Sequence, residues 1–165
     1  MEYKIEKWPA FKVAGFKHRM QTKQAFNVVP GIWEAAWKDG KINQLMQLLQ
    51  STNYRPAGFL GIAITGQQGQ ANSMDYLLGA TTYVDVENGK HLPAPGGMDE
   101  IEIKAATWVV VQANGKLPGA VQNVYPQFYS EWLPASGYQL EDLPVIECYM
   151  QENRQEVWFA VTEKA

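Results

Sequence analysis

The repeated order of strand-like and helix-like segments is the feature that most restricts the fold of this chain. Apolar and polar residues alternate from Tyr3 to Lys17, which is typical of strands. Helical spacing then follows Pro30, where a helix is expected to begin, and continues in a second run at 42–49. Short apolar runs at 59–64 and 76–86 predict two further strands. The first half therefore predicts strand, helix, strand, strand.

The second half shows the same order. Strand patterns cover 101–103 and 107–112, the latter with a β-branched and aromatic run at its centre, and Pro118 opens a segment whose apolar residues recur at steps of three and four. Two apolar runs, at 145–151 and 156–162, predict the closing strand pair. The second half is thus also predicted to be strand, helix, strand, strand.

A Pro- and Gly-rich stretch at 91–97 separates halves of about 1–90 and 98–165. Because two such halves can bury their sheets together, we expect one α+β domain over residues 1–165. Its duplicated strand-helix-strand-strand modules are expected to be related by pseudo-twofold symmetry. The sheets are expected to be antiparallel, with helices on the outer faces and a ligand cleft between the modules.

Charge and composition argue against several partners and locations. The net charge is −3, and the 14 Lys and Arg residues are scattered singly, so no basic stripe is present to neutralise a nucleic-acid backbone. No segment approaches the roughly 20 apolar residues that span a bilayer, and the N-terminus lacks an apolar signal-like run. The single cysteine, Cys148, cannot form an internal disulfide. These features predict a cytoplasmic protein that binds neither nucleic acid nor membrane directly.

Motifs for common cofactors and metals are also missing from the sequence. It contains no phosphate-binding loop, dinucleotide fingerprint or paired CxxC, and its two histidines, His18 and His91, are far apart. We therefore expect no cofactor and no metal. Cys148 lies in an apolar strand and is expected to be structural rather than a nucleophile.

The strand predicted at 145–151 carries a carboxylate among core-forming residues. Because strand side chains alternate, Glu147 and Tyr149 share one face, whereas Ile146 and Cys148 share the other, which suits packing against a helix. Burying an unpaired carboxylate is costly. Glu147 therefore needs solvent, an internal Arg or Lys, or an opening that receives a cationic ligand, and the strand pattern alone leaves all three open.

Aromatic residues could complete a site around this glutamate. The chain has six Trp, eight Tyr and six Phe, and Trp158 would lie near Tyr149 if the last two strands form a hairpin. Rings around a carboxylate suit a lipophilic cation, since each cation–π contact contributes about 0.5 to 2 kcal/mol.

Several motifs resemble those of one known family. The segment Trp132-Leu133-Pro134-Ala135-Ser136-Gly137-Tyr138, followed by Glu147-Cys148-Tyr149, resembles the WLPxSGY and ExY signature of GyrI-like effector-binding domains, and Gly115 and Tyr125 fit the same signature. The segment at 74–79 resembles the family's FxYxxG strand, and the opening strand with 13–15 also fits. The likeness covers nearly the whole chain.

The resemblance implies a pocket between the two modules with Glu147 at its centre. Carried onto matching positions, it also implies ligand-binding roles for Tyr149, Tyr76 and Trp158, whereas Trp108 and Trp33 are candidates only from the supply of aromatic residues. In the family, such domains sense drugs or inducers for AraC- and MerR-type transcription regulators and also occur alone. Because the first strand begins at residue 3, we expect a free-standing member without a helix-turn-helix.

Three functions are compatible with these observations. The leading one is non-catalytic binding of an amphipathic cationic small molecule. The resemblance also allows a hydrolase of strained electrophilic natural products of the cyclopropanoid type, in which Glu147 would activate water and Tyr76 would orient the substrate or donate a proton. A third is a protein-interaction module of the gyrase-inhibitor type, acting on a topoisomerase or a separate DNA-binding regulator.

Overall fold

Eleven strands and five short or medium helices make up the computed structural model, which describes residues 1–52, 56–65, 72–85, 89–151 and 154–165. The strands are β1 (Tyr3–Trp8), β2 (Phe11–Gln21), β3 (Phe59–Ile64), β4 (Ser73–Thr81), β5 (Tyr83–Asp85), β6 (Lys90–His91), β7 (Asp99–Ile103), β8 (Ala106–Gln112), β9 (Tyr138–Leu140), β10 (Val145–Gln151) and β11 (Arg154–Glu163). The helices are α1 (Ala25–Lys38), α2 (Lys41–Thr52), α3 (Gly119–Gln122), α4 (Val124–Gln127) and α5 (Leu133–Ala135). A 3₁₀ turn (Thr22–Gln24) precedes α1, and a π-helical turn (Phe128–Trp132) joins α4 to α5.

One antiparallel sheet runs through both halves of the chain. Its strand order is β1-β8-β11-β10-β3-β4-β2-β7, with β9 paired to β11, and β5 and β6 form a separate pair. Strands of the two halves occupy equivalent places on either side of the centre of this order. There β10 and β3 meet, flanked by β11 and β4 and then by β8 and β2. The outermost strands are exchanged: β1 pairs with β8 of the second half, and β7 pairs with β2 of the first. The α+β class and the antiparallel pairing predicted from the sequence are confirmed.

All the helix packing occurs on one face of the sheet. Val121, Val124 and Phe128 pack on the valines and phenylalanine of β8 and β11, while α2 packs through Ile42 and Leu45 on β2 and β4. These contacts cover the face that carries Glu147.

The opposite face of the sheet packs on itself. Its buried cluster draws only on strand residues and their connections, and joins Ile103 of β7 to Trp108 and Trp158 of β8 and β11. Because these strands lie far apart in the order, the sheet must curve around the cluster. Ile146 and Cys148 belong to it, so the expectation that their face packs against a helix is wrong.

Helix α1 begins five residues before the expected start at Pro30. The chain therefore carries a proline inside the helix, where it has no N–H to donate to the carbonyl four residues earlier, that of Phe26. The strand predicted at 76–86 is divided between β4 and β5, and residue 86 lies outside the described residues. No helix in the described ranges is long and apolar enough to cross a membrane.

Candidate functional site

A cavity of about 570 Å³ opens between the helices and the centre of the sheet, where the two halves meet. Its floor is formed by β3, β4 and β10, and its walls by α1 on one side and α3 with α4 on the other. It is lined by Thr22, Lys23, Ala25, Phe26, Val29, Pro30, Trp33, Ala63, Thr65, Met74, Tyr76, Leu117, Pro118, Val121, Gln122, Tyr125, Tyr129, Val145, Glu147 and Tyr149. This volume lies in the range of cavities that take drug-sized molecules.

Glu147 lies at the bottom of the cavity and accepts hydrogen bonds from three tyrosine hydroxyls. Tyr76 Oη donates to Glu147 Oε1 at 2.9 Å and Tyr149 Oη donates to the same oxygen at 2.8 Å, while Tyr125 Oη donates to Oε2 at 2.5 Å. The glutamate is 6% exposed. Three phenols from three different elements, β4, β10 and α4, thus enclose one carboxylate.

Burial and hydrogen bonding act in opposite directions on this carboxyl group. Burial disfavours the charged form and raises the pKa of Glu147 above its ordinary value, and the three phenol hydrogen bonds partly offset this rise. Burial, reinforced by the nearby carboxylate, raises the pKa of Tyr76, Tyr125 and Tyr149 well above that of a free tyrosine. The phenols therefore remain protonated donors, and the only negative charge that can form here is that of Glu147.

No basic side chain neutralises the glutamate within the described residues. Of the four ion pairs found there, none involves Glu147. Lys23 is the one basic residue among the cavity-lining residues, and it is exposed. Little of the Glu147 side chain reaches solvent, and within the described residues no internal Arg or Lys supplies the compensation that its charge needs. The tyrosine hydroxyls supply part of it, which the sequence reasoning had not considered.

Packing against neighbouring rings fixes the three phenols. Trp33 of α1 donates from Nε1 to Tyr76 Oη at 2.9 Å, and its ring lies 4.8 Å from that of Tyr149, centroid to centroid. On the opposite wall, Tyr125 meets the ring of Phe159 edge-on at 5.7 Å. One turn later, Phe128 stacks on Phe159 at 3.8 Å, which holds this helix against the sheet.

The two walls meet at the mouth of the cavity. Gln122 Nε2 of α3 donates to the backbone carbonyl of Phe26 at 2.8 Å, and the Phe26 ring lies 5.4 Å from that of Tyr125. Phe26 is the residue whose carbonyl loses its helical partner because Pro30 has no N–H. The proline in α1 thus frees an acceptor that links the two halves above Glu147.

Four of the six candidate ligand-binding residues from the sequence meet at the cavity. Glu147, Tyr149, Tyr76 and Trp33 all line it. Trp108 and Trp158 do not: both are fully buried in the cluster on the opposite face of the sheet, with their rings 6.0 Å apart.

A one-residue shift in the hairpin explains the position of Trp158. At the end of β10, Gln151 pairs with Arg154, and this register continued along the strands would place Trp158 opposite Glu147. A β-bulge between Tyr149 and Gln151 shifts the pairing, so that Glu147 faces Val157 and Trp158 faces Ile146. Because a shift of one residue reverses the face of every later side chain, the indole points away from the cavity.

Tyr125 is the main site residue that sequence reasoning did not assign to the pocket. It lies at one of the apolar positions, recurring at steps of three and four, that predict the helix after Pro118. Its ring packs in the apolar cluster as such a position should, while its hydroxyl reaches Glu147. Tyr129, one turn later, also lines the cavity. The spacing of two tyrosines by four residues was the available signal, since both lie on one helix face.

Metal chemistry finds no support among the residues that the structure describes. No group of three or more His, Cys, Asp or Glu side chains there is placed to hold an ion. The site offers one carboxylate, neutral hydroxyls and aromatic rings. Such groups can bind an organic cation or move a proton.

Comparison with protein families and solved structures gives one consistent result. The family model for the GyrI-like small molecule binding domain matches residues 1–161. Among solved structures, SAV2435 bound to tetraphenylphosphonium is similar with a TM-score of 0.79 and 22% identity, over 98% of this chain and 94% of that one.

Two further structures share the fold. A protein of Staphylococcus aureus MU50, described as a putative bacterial transcription regulation protein, has a TM-score of 0.74 and 21% identity, over 98% of this chain and 99% of that one. The C-terminal domain of EcmrR has a TM-score of 0.57 and 17% identity, over 99% of this chain and 98% of that domain. No curated protein sequence matches the chain significantly.

Proposed function

Because this chain belongs to the GyrI-like family of small-molecule binding domains, we propose that it binds lipophilic organic cations in the cavity above Glu147. The cation sits among the tyrosine and tryptophan rings, and its charge is balanced by the ionised glutamate. The cavity lining is mostly apolar, which suits the body of such a ligand.

The observation that carries this proposal is a buried carboxylate that, among the residues placed by the structure, has three neutral donors and no cationic partner. Hydrogen bonds from Tyr76, Tyr125 and Tyr149 orient the Glu147 oxygens but leave its negative charge uncancelled. An isolated charge in an apolar setting is costly. A cation that enters the cavity therefore gains more electrostatic interaction energy there than it would beside an exposed carboxylate. The surrounding rings add cation–π contacts of about 0.5 to 2 kcal/mol each.

The comparison with solved structures supports the same ligand class. SAV2435, which has the same fold, was solved bound to tetraphenylphosphonium, a bulky cation with a buried charge and four aromatic arms. A ligand of this kind needs a wide apolar cavity. It has no N–H donor, so the negative group that balances its charge does not have to form a hydrogen bond with it. The site described above meets both needs.

Calorimetric titration of the protein with tetraphenylphosphonium tests the proposal. Triphenylphosphine oxide, which is similarly aromatic but neutral, serves as the matched control. We expect saturable 1:1 binding of the cation and binding at least tenfold weaker for the neutral compound. No saturable binding of any lipophilic cation, or equal affinity for the neutral compound, would contradict the proposal.

One specific contact favours hydrolysis as a second candidate function. Tyr76 Oη lies 2.9 Å from a carboxyl group whose pKa burial raises, which is the arrangement of a general base with a neighbouring acid. In this reading Glu147 takes a proton from a water molecule whose oxygen bonds to the strained ring carbon, and the ring carbon–carbon bond breaks. Tyr76 gives its proton to the carbon released by that bond, and Glu147 then returns its proton to Tyr76. Incubation with cyclopropane-bearing electrophiles should then give products heavier by one water in mass spectrometry. Turnover that persists in Glu147→Gln would exclude this role.

A further inference from the structure

Gly61 lies directly opposite Glu147 where β3 pairs with β10, and both are buried. A Cβ atom added at Gly61 would overlap the Tyr76 hydroxyl and would lie 2.6 Å from Tyr76 Cζ and 3.0 Å from Glu147 Oε1. Real Cβ atoms essentially never approach another heavy atom within 3.0 Å. The space that a side chain would fill at this position is therefore occupied by the end of the Tyr76 phenol.

The strand order explains why this space is needed. Tyr76 belongs to β4 and Glu147 to β10, and β3 lies between these two strands. Tyr76 pairs with Ala63 of β3, so its side chain must cross β3 beside that pair to reach the glutamate. Gly61 is the residue over which the hydroxyl passes, on the same face of the sheet.

We propose that Gly61 is a positioning residue of the cation site, whose missing side chain lets the Tyr76 hydroxyl reach Glu147 across β3. Its consequence for cation binding rests on the proposed function, whereas the geometry of Gly61, Tyr76 and Glu147 does not. Any side chain at position 61 would push the phenol away from Glu147 Oε1 and would also break the contact between Trp33 Nε1 and Tyr76 Oη.

The consequence is a change in the pH range over which the site works. A hydroxyl that donates to a carboxylate stabilises its charged form, so the loss of one of three donors makes Glu147 easier to protonate. Because a cation competes with that proton, its binding would be lost at a higher pH. Gly61→Ala should thus make Glu147 easier to protonate, as Tyr76→Phe does, although Tyr76 itself is unchanged.

The test is a carbon-13 NMR titration of the Glu147 carboxyl group in the wild-type protein, Gly61→Ala, Tyr76→Phe and the double variant. We expect both single variants to shift the titration midpoint upward by about one pH unit, a tenfold change in proton affinity. The double variant should show no further shift, because the two substitutions remove the same hydrogen bond. Gly31→Ala in α1, where an added Cβ meets nothing within 4 Å, is the matched control and should leave the midpoint unchanged.

An unchanged midpoint in Gly61→Ala, or shifts that add in the double variant, would overturn the inference. If Gly61→Ala does not fold, its cost in stability is measured instead in the background of Tyr76→Leu, whose shorter side chain leaves the space free. The inference then requires that alanine at position 61 be tolerated in that background, and failure of the alanine variant to fold there as well would overturn it. Because the NMR titration uses no ligand, its outcome is separate from failure of cation binding in the wild-type protein.

Discussion

Replacing Glu147 by glutamine removes the charge of the site and keeps its shape. Glutamine has nearly the same size and retains one carbonyl oxygen, which can accept from Tyr76 and Tyr149 as Oε1 of the glutamate does. A cation centred about 5 Å from the carboxylate is attracted by roughly 3 kcal/mol at an effective dielectric constant of about 20. Since about 1.4 kcal/mol corresponds to a factor of ten, the dissociation constant for tetraphenylphosphonium should rise about 100- to 200-fold.

Isothermal titration calorimetry at neutral pH measures this change directly. Glu34→Gln is the matched control, because it makes the same change in net charge at an exposed position on α1 that does not line the cavity. We expect it to alter the dissociation constant less than twofold, and we expect triphenylphosphine oxide to bind Glu147→Gln and the wild-type protein alike. If Glu147→Gln binds the cation as tightly as the wild-type protein, the electrostatic reasoning is refuted.

Three further predictions follow from the same geometry. Cation binding should weaken as the pH falls through the raised pKa of Glu147, and near that pH it should release protons, which calorimetry in buffers of different ionisation enthalpy detects. Without ligand, the folded state holds the Glu147 proton more tightly than the unfolded state, so its contribution to stability is present below the ordinary carboxyl pKa and is lost as the pH rises through the raised one. Urea unfolding of wild-type protein and Glu147→Gln at several pH values should show this difference, and parallel pH profiles would contradict it. Gln122→Leu removes the hydrogen bond from half-buried Gln122 to the Phe26 carbonyl, so stability should fall by about 1 kcal/mol or less while stopped-flow dissociation of the cation becomes faster. An unchanged dissociation rate would show that this contact does not hold the cavity mouth closed.

The strands and the central glutamate were predictable because they depend on local patterns. Alternation placed Glu147 and Tyr149 on one face of a strand, and the structure has both on β10 facing the cavity. The repeated element order predicted the α+β antiparallel fold. The exchange of β1 and β7 between the halves was not predictable, since no local pattern records which strand an edge strand pairs with.

The aromatic residues of the site were harder to assign, because their positions depend on register and helix rotation. Regular alternation of side chains along a hairpin predicts Trp158 near Tyr149. The β-bulge after Tyr149 reverses the face on which the later side chains lie. Tyr125 has the spacing of a core residue, and only the packing of Phe128 on Phe159 turns its hydroxyl toward Glu147. The predicted start of α1 at Pro30 is wrong for a related reason. Pro30 leaves the Phe26 carbonyl without a helical partner, and this carbonyl accepts a hydrogen bond from Gln122 instead, so the helix can contain the proline.

A crystal structure of the protein with tetraphenylphosphonium is the most direct test of the central claim. We expect one cation in the cavity between α1 and α4, with its phosphorus close to Glu147 and its phenyl groups against Trp33, Tyr125 and Tyr149. We also expect the three tyrosine hydroxyls still to donate to the glutamate. A cation bound elsewhere on the protein, or one held in this cavity away from Glu147, would contradict the proposed role of Glu147.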